Sequence, residues 1–383
     1  MRPRHREGGT GKDTVARLSL RFACTALAAT LALLAAQVSP AQAGAPEGAT
    51  WLNQQIGSKG YLEGRNGAPD GTDTAYAVLA LYSAGQGSEA KSAVKWLHDH
   101  IDDVVTSGGT DNPASLSILI MALRAAGGSV GSLITRLQQT QVTAGPDAGL
   151  FGGADPTFDG ATRQGLSLLA LASVGQKNAP GTDWLVKQQC ADGSWQSYRT
   201  NITQPCGPTD PTHGTGPDTN STAMAYQGLK VDAVAPPHDP IAWLATNETP
   251  DAGWSFYGGA PGSLDANSTS LVIQAIIASG SDPNALPWAR NGSTPLSRLG
   301  QFQLPSGAYT FSGGSQTNVA ATVQAVPAAA SKIFPLPAAA TPLVGDSGGS
   351  SAPWIVLIVL VVLVACAAGA AVLLRRRRLT PAT

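Results

Sequence analysis

Residues that carry chemistry are scarce in this chain. Its 383 residues include five His and four Cys, and no two Cys stand at the short spacing that structural zinc sites use. His98 and His100 fall on one predicted outer helix and His238 just before another. No Ser-His-Asp order and no paired-carboxylate spacing is present, so the sequence names no nucleophile or acid–base couple. Two distant Asp meeting across a cavity would still serve a polysaccharide-active enzyme. The adjacent pair Asp102-Asp103 reads as a solvated face. Positive charge is also missing where a polyanion would need it. The net charge is −1, but residues 44–353 hold 14 basic against 23 acidic residues, the other basic residues lying near the two ends. That balance excludes nucleic acid and anionic polymers as ligands. No LPxTG precedes the C-terminal apolar run, which argues against cell-wall sorting.

Both ends are apolar for other reasons. Arg17 to Arg21 is a basic lead, Phe22 to Leu34 a short apolar core, and Ala41-Gln42-Ala43 a small-residue cleavage site, so residues 1–43 read as a secretory signal peptide. Residues 354–374 carry no charge and would span about 30 Å as a helix. Arg375 to Arg378 follow, and a basic cluster keeps its side of a membrane helix in the cytoplasm. The expectation is a single-pass cell-membrane protein with an extracellular domain at residues 44–330, a Pro/Ala/Gly/Ser linker at 331–353, a membrane helix at 354–374 and a basic cytoplasmic tail at 375–383. Cys24 and Cys366 fall in the apolar ends. Cys190 and Cys206 are left on the oxidising side, where a pair favours a disulfide. Metal binding with Asp210 and His213 is the alternative.

Between residues 50 and 330 one phrase occurs six times. Trp51, Trp96, Arg136, Trp184, Trp243 and Arg298 are each followed by Leu. Each opens an apolar arm, then come a Gly-rich loop and an Ala/Leu-rich arm with a polar start. The second arms run Asp73–Tyr82, Thr162–Ala172 and Ser268–Ile277 in repeats one, three and five, each with a Gly just beyond. Apolar residues recur at helical spacing, nearly all round the second arms and on one face of the first. Each repeat is therefore an outer helix, a loop and a buried inner helix. Six such hairpins predict an all-α fold: an α/α toroid, or α6/α6 barrel, plus the C-terminal membrane helix.

Gln189-Cys-Ala-Asp192-Gly193-Ser194-Trp195 resembles the QxxDGSW motif of squalene–hopene cyclases and related terpenoid cyclases. Asp251-Ala-Gly253-Trp254 is a weaker copy, and Phe151-Gly152 and Gly60-Tyr61 are degenerate ones. Asp218-Thr-Asn220-Ser221-Thr222 and Asp265-Ala-Asn267-Ser268-Thr269 are similar to helix openings in the prenyltransferase and squalene oxidase repeats, including those of protein prenyltransferases. The resemblance covers roughly residues 50–330 and implies the toroid. It does not bring the chemistry. The DxDD acid of squalene–hopene cyclases, the Asp-Cys-His zinc set of protein prenyltransferases and the thioester motif of complement-type toroids are all absent from the sequence.

Asp70, Asp218 and Asp265 recur just before inner helices, with Gln316 matching in repeat six and Asp111 and Asp159 offset by one. They read as N-caps and as acceptors around one mouth of the ring. Trp195, Trp254, Tyr257, Tyr309 and Phe311 read either as anchors between repeats or as aromatic walls of that mouth. The candidate ligand-binding set is Trp195, Asp218, Asn220, Trp254, Tyr257, Asp265, Asn267, Tyr309 and Phe311. No catalytic residue, metal ligand or cofactor is expected. The expected function is non-catalytic binding of a small organic ligand or a partner protein. The fold also resembles the toroid domain of intrinsic factor and transcobalamin, which implies cobalamin as a ligand, with a separate β-domain protein and a membrane transporter as partners. The alternatives are a terpenoid cyclase or prenyltransferase-like enzyme and a polysaccharide-active enzyme.

Overall fold

The computed structural model describes residues 44–153, 160–197, 199, 203–208, 215–258 and 264–344. The signal peptide, the membrane helix and the tail expected from the sequence lie outside these residues, as do Asp159, Asp210 and His213. No helix among the described residues is long and apolar enough to cross a membrane.

The outer helices are α1 Ala45–Ile56, α3 Lys91–Asp99, α6 Gly131–Gln139, α8 Ala179–Lys187, α10 Pro240–Thr246 and α12 Pro295–Gly300. The inner helices are α2 Gly71–Ser83, α5 Pro113–Ala125, α7 Ala161–Ala172, α9 Thr219–Val231, α11 Ala266–Ser279 and α13 Val319–Ala329. A short extra helix, α4 Ile101–Val105, follows α3. Each inner helix packs on the next, and α13 returns to pack on α2, so the ring closes. Every outer helix lies across the seam between two inner helices, with α1 over the α13–α2 seam.

The repeated Trp/Arg-Leu signature does not open the outer helices, as the sequence suggested, but sits inside them. Its Leu is the reason it recurs. Leu52, Leu97, Leu137, Leu185, Leu244 and Leu299 are all fully buried against the inner ring, each contributing roughly 1.5–3 kcal/mol of burial.

Local bonds then set the register of each loop. Inner helices start at capping side chains. Asp70, Asp218, Asp265 and Asn318 accept from backbone N–H groups three residues on, at 2.7–2.8 Å. Asn112 caps α5, and α7 has Gly160 with no side-chain cap. The cap of repeat six is thus Asn318, not Gln316, and that of repeat two is Asn112, not Asp111. Four residues beyond the cap, Thr74, Thr222, Thr269 and Thr322 accept from the N–H of Leu62, Trp195, Trp254 and Tyr309, at 2.9, 3.0, 3.1 and 2.9 Å. Gln164 does the same for Phe151 in repeat three.

Two residues before these core positions, the loop passes under the next outer helix. Gly193 and Gly307 do so with φ of 97° and 93°. A β-carbon there would lie 2.7 Å from the Asp239 carbonyl oxygen and 2.3 Å from that of Glu47. Only glycine fits such a backbone. A Gln side chain completes each join. Gln189 exchanges two bonds with the His238 backbone, and Gln303 exchanges two with the Gly44 backbone, at 2.8 and 2.7 Å. The join that closes the ring is therefore built like an internal one.

Short antiparallel pairs brace three of the loops: β1 Leu62–Glu63 with β2 Pro69–Asp70, β3 Thr106–Ser107 with β4 Thr110–Asp111, and β5 Trp195–Gln196 with β6 Pro217–Asp218. Cys190 and Cys206 form the disulfide, with Cα atoms 5.6 Å apart, which leaves no thiolate there for a metal. Within the loop it closes, Arg199 pairs with Asp147 at 3.0 Å and lies over the Trp184 ring.

The segment expected as a free linker from residue 331 differs for part of its length. Phe334 and Leu336 are buried in the core. The N–H groups of Ala339 and Leu343 donate to the carbonyls of Ala125 and Ala126 at the C-terminal end of α5. The carbonyl of Lys332 accepts from Gln274 on α11. Residues 331–344 thus cross the base of the ring, held there by apolar side chains and backbone bonds that composition alone did not reveal.

Candidate functional site

A cavity of about 710 Å³ opens where the inner helices begin. All six inner helices contribute to its lining, because the ring points the same helical positions inward. Six residues past the caps stand Tyr76, Leu166, Met224, Leu271 and Gln324, all on the cavity wall. Ile118, at the same position of α5, is not among the lining residues, though Leu166 and Met224 are equally buried. One turn nearer the mouth, Ala114, Thr162 and Asn220 line it. The deeper level is therefore an apolar arc on α7, α9 and α11, facing Tyr76 and Gln324 on the adjacent helices α2 and α13. The level near the mouth is mostly polar.

The rim comes from neighbouring repeats. The first N–H of α9 donates to the Phe256 carbonyl at 2.9 Å, and that of α11 to the Phe311 carbonyl at 2.8 Å. Each bond satisfies a helix N–H that would otherwise lack a partner and sets an aromatic ring at the mouth. Phe256 lines the cavity, and Phe311 is 49% exposed.

Two charged side chains, Asp111 and Arg163, are among the described lining residues. Asp111 is the one carboxylate among the described lining residues. Arg136 holds it at 2.9 and 2.5 Å, and that hydrogen bonding keeps its carboxyl below the ordinary range. Asp218 lies behind the wall, bonded to Ser221 N and Ser197 Oγ; burial pushes it up to about 6 against those bonds. Asp73 is also pushed to about 6, by burial and then by the neighbouring charge of Asp70. Burial and Asp73 raise the Tyr76 phenol strongly, so it stays a donor. Gln324 Oε1 and Asn267 Oδ1 are buried with no hydrogen-bond partner among the described residues, and each such atom costs roughly 1–3 kcal/mol.

The residues expected at the mouth divide. Asn220 lines the cavity, and Phe311 stands on the rim. Tyr257 packs edge-on against Phe256 with ring centres 4.7 Å apart. Trp195, Trp254 and Tyr309 are fully buried, a correction to the aromatic-wall reading. The indole N–H groups of Trp195 and Trp254 donate to the carbonyls of Leu185 and Leu244 in the outer helices, so the motif Trp anchors the loop to its own hairpin. Asp218 and Asp265 turn their carboxylates into the helix starts and are likewise buried. Asn267 is half-buried on the first turn of α11. Tyr76, Leu166, Met224, Leu271, Gln324 and Phe256 were not singled out from the sequence. The first five share one register, six residues after a cap, but Ile118 shares it too without lining the cavity, so the register alone does not single them out.

No protein-family model matches the chain, and no curated protein matches it. Among solved structures it is similar to a protein from Actinoplanes, with 14% identity and a TM-score of 0.52, over 75% of this chain and 98% of that one. It is also matched to Candida albicans protein geranylgeranyltransferase-I complexed with GGPP, with 11% identity and a TM-score of 0.47, over 74% and 90% of the two chains. At such identities a likeness is one of fold alone, and function must be argued from the site.

Proposed function

We propose that this chain is a cell-surface binding protein whose toroid holds a mostly uncharged, medium-sized organic molecule in the central cavity, without turning it over. The observation that carries the reading is the lining. A cavity of about 710 Å³ lined by apolar and uncharged polar groups, by Arg163, which donates to the Gly153 carbonyl, and by one carboxylate paired with Arg136 has the size and makeup of a ligand pocket. A cyclase-type reaction needs a carboxylic acid in its protonated form facing the substrate, and Asp111 is held ionised. A polysaccharide-cleaving site needs two facing carboxylates, and the described lining residues supply Asp111 alone. The anchoring role rests on the signal-like residues 1–43 and the apolar residues 354–374. Cobalamin, delivered with a separate β-domain protein to a membrane transporter, is the specific form of this reading that the fold resemblance suggests.

The test is mass spectrometry of small molecules that copurify with the full-length protein from the membranes of the producing cell, compared with Met224→Trp, which puts a bulkier side chain into the cavity wall. The expected result is one organic species, cobalamin or another, released by wild type and absent from the variant. Identical small-molecule profiles from both proteins would remove the cavity as the site.

A further inference from the structure

In three repeats the join to the next outer helix is made by a Gln four residues beyond the buried Leu. Its amide donates to the carbonyl of the glycine that passes under that helix: Gln141 to Gly149, Gln189 to Gly193 and Gln303 to Gly307, at 2.9, 2.9 and 3.0 Å. In repeat five, four residues beyond Leu244, the same place holds Glu248. The loop is otherwise built alike. The Thr249 N–H donates to the Gly253 carbonyl at 2.9 Å, and the Ala252 N–H to the Thr249 carbonyl at 3.1 Å. Cys190 and Gly193 make the matching bonds in repeat four, and Leu304 and Gly307 in repeat six. Ala252 stands in the glycine's place, with φ of 58°. Glu248 therefore sets a carboxyl where its counterparts set an amide, on a side chain with no exposed surface. An ionised carboxyl has no proton to donate to the Ala252 carbonyl. Neither of its oxygens takes part in a hydrogen bond among the described residues. Arg290, 35% exposed, reaches Oε2 at 2.8 Å as an ion pair.

We propose that the join between repeats five and six is a proton-operated latch: protonated, Glu248 donates to the Ala252 carbonyl and holds the loop as the Gln residues do; ionised, it loses that bond and the join rests on Arg290. Few charges surround it. α10 and α11 carry none, and α9 carries Lys230 in its last turn. The loop after α10 carries Asp251, the segment before α12 Asp282 and Arg290, and α12 Arg298. Of these, Arg290 is the one that acts on the Glu248 carboxyl, and burial outweighs it, pushing the group up to about 7. An unfolded glutamate titrates near 4.5, so the folded state holds the proton more tightly. The latch is therefore fully set below about pH 4.5 and weakens as pH rises through about 7. It ties down the segment between α11 and α12, where Trp288 packs on Trp254 with ring centres 6.0 Å apart and Asn291 donates to the Pro250 carbonyl at 2.9 Å. The latch does not depend on what the cavity binds.

The experiment compares the full-length protein with Glu248→Gln, which gives repeat five the amide of its neighbours, by thermal and urea unfolding between about pH 4.5 and about pH 8.5. Asp73 and Asp218 titrate in the same window but are common to both proteins, so they cancel in the difference. The two should be equally stable at the acid end. At the alkaline end the variant should melt several degrees higher, the gap opening through about pH 7. Arg290→Gln should lower alkaline stability in the wild-type background and lose that pH-dependent cost in the Glu248→Gln background. A second measurement needs no variant. Hydrogen exchange of residues 282–293 in wild type, taken relative to intrinsic rates, should speed up several-fold from the acid to the alkaline end. A stability gap that is the same at every pH overturns the proposal, as does a wild type more stable than Glu248→Gln at the alkaline end. If the variant does not fold, unchanged relative exchange of residues 282–293 across the range overturns it alone.

Discussion

Replacing Gly307 by Ala should loosen the join that closes the ring, and the structure says by how much. Gly307 has φ of 93°, and a β-carbon would sit 2.3 Å from the Glu47 carbonyl oxygen on α1. Two costs follow. The left-handed backbone costs an L-residue roughly 1–2 kcal/mol, and the contact with rigid backbone adds roughly 1–3 kcal/mol of overpacking. Gly313 separates the two, since its φ is 100° but nothing lies within 4 Å of its β-position. Gly193 is intermediate, with φ of 97° and the Asp239 oxygen at 2.7 Å. The expected order of destabilisation is therefore Gly307→Ala, then Gly193→Ala, then Gly313→Ala. The first and last should differ by about 1–3 kcal/mol, or about 2–6 °C in a domain of this size at roughly 2 °C per kcal/mol. Differential scanning calorimetry and urea titration of the three variants read this directly. If Gly307→Ala costs no more than Gly313→Ala, then α1 does not lie on the repeat-six loop and the ring is not closed this way.

Three further outcomes follow from other features. Cys190→Ser should lower stability by about 3 kcal/mol for a loop of this size in the chain-entropy model, and alkylation without reductant should label neither Cys190 nor Cys206; label on either in peptide mapping removes the bridge. Asp218 titrates near 3.8 unfolded and about 6 folded, so the folded state holds the proton more tightly. Its contribution is full below about pH 4 and declines by about 3 kcal/mol as pH rises through about 6; Asp218→Asn keeps a capping oxygen and should flatten that decline, and an unchanged pH slope in urea titrations would contradict the burial argument. Protease added to intact cells should make its first cut beyond Val344, because residues 331–344 are tied to Ala125 and Ala126; a first cut before residue 344 would mean the base strap is not in place.

The ring was legible because its makers repeat. Six Trp/Arg-Leu steps mark six buried Leu, and capping Asp or Asn residues mark most inner-helix starts; both are local patterns that a linear reading captures. Helix starts were less legible, since the Trp/Arg-Leu signature marks the buried middle of an outer helix rather than its first turn. The site was read less well. Trp195 and Trp254 belong to a motif whose chemistry suits either a wall or an anchor, and only the indole bonds to Leu185 and Leu244 decide for the anchor. Met224, Leu271 and Leu166 look like any other core residue of an apolar helix. What sets them at the edge of a cavity is the closure of the ring, which depends on all six helices at once. The strap over the base was hidden for the opposite reason: its composition is that of a linker, and its fate is set by distant partners on α5 and α11.

The most direct measurement is a crystal structure of the protein purified from the cells that make it with nothing added. The account predicts continuous non-protein density for one organic molecule in the ring, within reach of Tyr76, Met224, Leu271 and Gln324. Density for ordered water alone in that space, or an organic molecule seated on the outer helices with the ring empty, would contradict it.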